Sequence, residues 1–176
     1  ANLIKNDIWA KVIWGDIGNP TLLAHDLKEN YGIALEDLLN MRTFLDHNRI
    51  WEEPTQINPN RTSESSGAFA FRGNYLSNNL IEDNLLHHLK KWQPYIKKFG
   101  LMVIELHTIK PEVTAHHLGE TPATAYDATH GFSDQYIVEI DVFHKVCKEA
   151  GLQPDEKLFQ KFPNSELATV SINLLK

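Results

Sequence analysis

Apolar and polar positions along this chain switch between a period of two and a period of three to four, and the switches outline its elements. Residues 8–14, Ile8-Trp9-Ala10-Lys11-Val12-Ile13-Trp14, read as a strand that breaks at Gly15-Asp16. Asn19-Pro20 then starts a helix, with Leu23, Leu27 and Tyr31 spaced four apart and a stop at Gly32. Residues 37–45 predict a second strand, ending in the polar cluster Asp46-His47-Asn48-Arg49. Residues 50–76 carry Pro54, Pro59, Gly67 and Gly73 around a Thr62–Ser66 polar tract, which predicts one long loop.

Ser77-Asn78-Asn79 opens the strongest helical period in the chain, Ile81, Leu85, Leu89, Trp92, Ile96 and Phe99, with Pro94 predicting a kink and Gly100 the end. Residues 101–107 are mostly apolar, as in a strand covered on both faces. Residues 111–132 read as irregular. Ser133 is then expected to cap a helix with Tyr136, Ile140, Phe143 and Cys147 on one face, closed by Gly151. Two strands follow at 156–162 and 167–175; in the second, Ala168, Val170, Ile172 and Leu174 alternate with Thr169, Ser171 and Asn173. There is no internal repeat.

Three strand–helix units followed by a hairpin predict an α/β fold with a mostly parallel sheet and an antiparallel edge. Ligands of such sheets bind outside the carboxyl ends of the strands. Here those ends are Gly15-Asp16, Asp46-His47-Asn48-Arg49 and His107-Thr108. The loops at 50–76 and 110–132 are expected to border the site.

Composition narrows the function classes. The 176 residues form one expected domain with a single core. Seventeen Lys+Arg against 23 Asp+Glu give a net charge of −6 with no basic block, which disfavours a nucleic-acid backbone reader. No apolar run is long enough for a membrane span, and the first residues lack a secretory pattern. The single Cys147 closes no internal disulfide and fits a reducing, cytoplasmic setting. Nine His, as many as Gly, ask for an explanation in metal ligation, proton transfer or chance composition.

Three phrases carry a resemblance: Trp14-Gly15-Asp16-Ile17-Gly18-Asn19-Pro20, Arg42-Thr43-Phe44-Leu45-Asp46-His47-Asn48-Arg49 and Thr129-His130-Gly131-Phe132-Ser133-Asp134-Gln135-Tyr136. Over nearly its whole length the chain resembles the second half of class I S-adenosylmethionine-dependent methyltransferases. The three phrases resemble the C-methyltransferase domains in loading modules of bacterial, notably cyanobacterial, polyketide synthases. The resemblance implies a Rossmann-like sheet ending in an antiparallel hairpin, S-adenosylmethionine as methyl donor and, as in some of that group, one iron or manganese ion. It also implies a malonyl-type substrate on an acyl carrier protein, with neighbouring polyketide synthase domains as partners. The Gly-rich turn and the acidic residue that hold the methionine and ribose parts of the cofactor are absent from these residues. The chain is therefore expected to hold only the later strands of the sheet, with the N-terminal strands missing.

Carried onto this sequence, the resemblance makes Asp16 the acceptor for the adenine amino group and Ile17 its packing surface; the plainer alternative is a helix-capping turn. Asp46-His47-Asn48-Arg49 is the densest polar cluster. His47 can ligate a metal or move a proton, and Arg49 can pair with a substrate carboxylate. The alternative is a solvated loop in which Asp46 pairs with Arg49. Strand alternation argues against Asp46 and His47 facing one ligand together. With the resemblance, His130 and Gln135 complete a metal site with His47; without it they are a loop residue and a first-turn residue. Without metal, His130 is the expected general base. His87-His88, adjacent helical positions lying about 100° apart, and His116-His117, in an irregular stretch, both read as surface pairs. His25 and His144 read as helix-surface positions, and His107 as either a supporting residue or a satisfied core histidine.

These readings converge on a carbon methyltransferase acting on the α-carbon of a carrier-bound thioester. The alternatives are an inactive methyltransferase-like scaffold or docking domain, and an oxygen or nitrogen methyltransferase for a free small molecule.

Overall fold

The computed structural model of the protein describes residues 10–176. Ile8 and Trp9 of the first expected strand lie outside the described residues, and residues 10–14 form no strand and are exposed. Helix α1, Pro20–Tyr31, is capped by the Asn19 side chain on Leu22 N–H and closed by Gly32 at φ 67°, as the Asn-Pro and Gly signals predict. A 3-10 turn at Leu35–Asp37 shortens the second expected strand to β1, Asn40–Thr43.

The 50–76 segment is not wholly loop. Its end folds into the hairpin β2, Phe69–Phe71, and β3, Asn74–Leu76. Ser77 then caps helix α2, Asn78–Ile96, whose Ile81, Leu85, Leu89, Trp92 and Ile96 are buried; Phe99 lies beyond the helix and is exposed. Strand β4, Leu101–Leu106, follows. The 111–132 segment is mostly helical: α3, Pro111–His116, a 3-10 turn at Pro122–Ala125, and α4, Tyr126–Ser133. Ser133 ends α4 instead of opening the next helix; Asp134 closes α4 in a left-handed conformation, and residues 135–139 lie outside any helix before α5, Ile140–Glu149. Strands β5, Gln160–Phe162, and β6, Val170–Leu175, complete the chain.

The main sheet has the order β1-β4-β6-β5. β1 and β4 are parallel, pairing Asn40 with Leu101, whereas β6 runs antiparallel to both β4 and β5. Among the described residues the sheet is thus mixed, with one parallel pair and the expected antiparallel hairpin. Helices α2 and α5 bury Leu85, Leu89, Val142, Phe143 and Val146 in one core with Leu101, Val103 and Leu175. β4 alternates buried and half-buried residues, so only one of its faces is fully covered.

Loop 50–66 is fastened by Arg61. Its guanidinium meets Asp83 at 2.7 Å, Glu82 at 3.0 Å and Glu149 at 2.7 Å, joining the loop to α2 and α5. No helix among the described residues is long and apolar enough to cross a membrane.

Candidate active site

The parallel pair β1–β4 brings two chain ends together. After Thr43, Phe44 takes a left-handed φ of 55° while its N–H still bonds Ile104 O at 2.8 Å. An L side chain adopts that conformation at a cost, and such residues cluster at functional sites. The bend ends the strand alternation, so the backbone N–H groups of both Asp46 and His47 donate to Glu105 Oε2, at 2.9 and 3.2 Å. Asp46 and His47 therefore line one cavity, contrary to the alternation argument.

Glu105 is the residue this site turns on. Its Oε1 contacts His47 Nδ1 in a short pair and accepts Leu106 N–H at 2.7 Å. Both side chains are buried, His47 at 7% and Glu105 at 2% exposure. Glu105 lies two positions before His107 at the end of β4, and the sequence marked it only as that neighbour. His107 is the satisfied core histidine: Nδ1 meets Val138 O at 3.1 Å and Nε2 meets Ser171 Oγ at 2.7 Å. Burial pushes His107 down to about 3.

Helix α2 supplies a polar stripe beside its apolar one. Asn84, His88 and Trp92 recur at four-residue spacing and face β1. Asn84 Oδ1 accepts Arg49 Nε–H at 2.6 Å, and His88 Nε2 lies 3.1 Å from Asp46 Oδ1. Trp92 donates to Ile17 O at 2.7 Å, and the Arg42 guanidinium sits 4.6 Å over its ring. His88 is thus a buried site residue and not a surface one, whereas His87 is half-buried. Arg42 ion-pairs Asp46 at 2.8 Å. Burial would raise the Asp46 carboxyl, but Arg42, His88 and Arg49 together bring it down to about 2. Burial lowers His88 to about 4 despite Asp46.

Arg49 does not pair with the Asp46 carboxylate. It donates from Nη1 to the Asp46 carbonyl at 2.8 Å and lies 5.3 Å over the Tyr136 ring. Desolvation lowers it to about 10, so it stays a cation. With Asp46, His47, Glu105, His107 and Tyr136 it lines a cavity of about 10 Å³ at the strand ends.

His130 and Gln135 are placed differently from the sequence reading. His130 lies inside α4, fully buried, its ring 4.5 Å from Phe69 and its Nε2 accepting Ile137 N–H at 3.1 Å. Gln135 is half-buried in the 135–139 segment between α4 and α5. Neither lines the cavity that His47 lines. One nitrogen each of His47 and His130 is already engaged, and among the described residues no group of three His, Cys, Asp or Glu is placed to hold a metal ion. This arrangement does not fit the expected metal set.

Asp16 forms a capping turn. Its Oδ1 accepts Gly18 N–H at 2.8 Å, and its carbonyl accepts Asn19 N–H at 3.1 Å. The half-exposed carboxylate keeps further acceptor sites, which fits an amino-group donor. Ile17 packs partly on the main core. His25 and His116 are exposed, and His117 is held by Glu120 at 2.8 Å. His144, expected at the surface, is half-buried with Nε2 2.7 Å from Asn173 Oδ1, and Asn173 Nδ2 donates to Ser171 Oγ at 2.7 Å. It lines a second cavity of about 370 Å³ with Thr108, Lys110, Glu139, Phe159 and Lys161.

A mixed α/β sheet with a parallel pair, an antiparallel closing hairpin and polar groups at the strand ends is consistent with a methyltransferase fold. The AprA MT2-like domain family matches residues 1–173, and the chain belongs to that family, a polyketide synthase-associated methyltransferase-like domain. No curated protein matches the sequence.

Proposed function

We propose that the protein is a carbon methyltransferase that uses His47, held by Glu105, as the general base toward the α-carbon of a malonyl-type thioester on an acyl carrier protein. The observation that carries this reading is the buried His47–Glu105 pair at adjacent parallel strand ends. With Nδ1–H turned to Glu105, the His47 ring presents Nε2 for a substrate proton. The carboxylate also stabilises the imidazolium once it forms.

S-adenosylmethionine supplies an electrophilic methyl group with its own leaving group. Asp16 is the residue for its adenine amino group, with Ile17 beside it. Arg49 offers a buried cation to the substrate carboxylate. His130 fixes the backbone at Ile137, between the cavity residues Tyr136 and Val138, in this reading, and no step is assigned to a metal ion, since His47, His130 and Gln135 do not form a ligand set here. The setting is a cytoplasmic polyketide synthase, with its neighbouring domains as partners.

The test is a malonyl-loaded acyl carrier protein incubated with S-adenosylmethionine and the protein, read by intact-protein mass spectrometry. Addition of methyl mass is expected, falling about 10²–10⁴-fold in His47→Ala, the range general-base catalysis contributes. Wild-type turnover in His47→Ala overturns the assignment, and absence of methylation by the wild type overturns the activity.

A further inference from the structure

Tyr136 is almost fully buried, at 1% exposure, yet its hydroxyl has no hydrogen-bond partner among the described residues. Burying an O–H without a partner is unfavourable in folded proteins, so such a group calls for a reason. Tyr136 lines the small cavity with His47, Glu105 and Arg49. Its backbone N–H donates to His47 O at 2.7 Å, which ties it directly to the base.

The enclosed space at this point, about 10 Å³, is the size of a single water-sized group. A carbonyl oxygen is such a group. The charge pattern of the walls also suits an oxygen on which negative charge grows. The Glu105 carboxylate is engaged by the Asp46, His47 and Leu106 N–H groups and by His47 Nδ1, and the Arg49 cation lies over the Tyr136 ring. Burial, and secondarily Asp134, pushes the phenol up to about 12 against the pull of Arg49. The group therefore remains an O–H donor across the working pH range.

We infer that Tyr136 is a catalytic residue, its phenol O–H donating to the thioester oxygen as the enolate forms. This rests on the methyltransferase reading and deepens it. The α-C–H bond breaks, its proton goes to His47 Nε2, and its electron pair forms the enolate, with the negative charge on the oxygen held by Tyr136. The enolate carbon then forms a bond to the methyl group of S-adenosylmethionine, the C–S bonding pair stays on sulfur, and His47 returns its proton to water.

The experiment measures deuterium uptake at the α-carbon of malonyl-loaded acyl carrier protein in D₂O without S-adenosylmethionine. Tyr136→Phe is expected to slow enzyme-dependent exchange about 10²–10³-fold, as loss of one oxyanion donor does, with KM little changed and the folded circular-dichroism spectrum retained. Exchange at the wild-type rate in Tyr136→Phe, with exchange lost in His47→Ala, overturns the role of Tyr136 and leaves the base standing. Wild-type exchange in His47→Ala overturns the base reading itself. Should Tyr136→Phe not fold, 3-fluorotyrosine at position 136 replaces it: its more acidic phenol is expected to change the exchange rate, and an unchanged rate overturns the inference.

Discussion

Glu105 and His47 are separated by 58 positions in sequence, yet the carboxylate holds both the ring and the backbone N–H of His47. A residue gripped at two points has its orientation set before substrate arrives. Glu105→Gln keeps the size of the side chain but removes the charge that stabilises His47 once protonated. Methyl transfer is expected to fall about 10²–10⁴-fold, mostly in kcat, the size of a general-base contribution. Steady-state kinetics with the carrier-bound thioester checks it; a change in KM alone would assign Glu105 to binding.

Arg61 carries the second strong expectation. Arg61→Ala leaves Glu82 and Asp83, both buried, without their shared cation. Removing one partner of a buried ion pair costs about 3–5 kcal/mol. Urea denaturation should show that loss, and limited proteolysis should cut within residues 50–66 first.

The bend at Phe44 makes an opposite claim. At φ 55° a glycine is unstrained, whereas a β-branched residue is strained further. Phe44→Gly is expected to stay within about 1 kcal/mol of the wild type, since relief of strain offsets the added chain entropy. Phe44→Val is expected to be destabilised by about 1–3 kcal/mol. Denaturant midpoints of the two variants measure the difference.

Acid stability follows from the buried imidazoles. Burial holds His107 near 3 and His88 near 4, below their ordinary value of 6.5, so the unfolded chain binds more protons between these values. Stability is then complete above pH 6.5 and falls as pH drops toward 4, approaching about 1.4 kcal/mol per pH unit for each imidazole. Asp46, depressed from 3.8 to about 2, adds its own loss only below that window. Urea midpoints across the range test this, with His107→Gln expected to flatten the slope.

Metal dependence separates two chemistries. Because His47, His130 and Gln135 do not share a cavity, protein purified without chelator is expected to hold far less than one iron or manganese ion per chain. It should also keep its turnover after chelator treatment. One ion per chain with chelator-sensitive turnover would mean that His130 leaves Ile137 in the working enzyme.

The elements marked by local chemistry were legible in the sequence: the Asn19 cap and Gly32 stop of α1, the apolar stripe of α2 and the alternation in β6. The 111–132 helices were not, because helices of six and eight residues are too short to show an apolar period of their own. Ser133 has cap chemistry but sits at a helix end, where its hydroxyl bonds Thr129 O. His47 and Arg49 were found as a polar cluster at a strand end. Glu105, His88 and Asn84 were not, since their roles exist only once β4 and α2 meet β1. The bend at Phe44 left no sequence signal, and it is what turns Asp46 and His47 toward one acceptor.

The row His144, Asn173, Ser171, His107 has one sense of direction. Asn173 offers an oxygen to His144 and an N–H to Ser171, so His144 must give, Ser171 must pass its proton toward His107 Nε2, and His107 must carry its hydrogen on Nδ1 for Val138 O. Four side chains, from β6, α5 and the position just after β4, thus act as a single unit that cannot be reversed piecemeal. A change at His144, on the rim of the larger cavity, is therefore felt at the carbonyl of Val138 beside the smaller one.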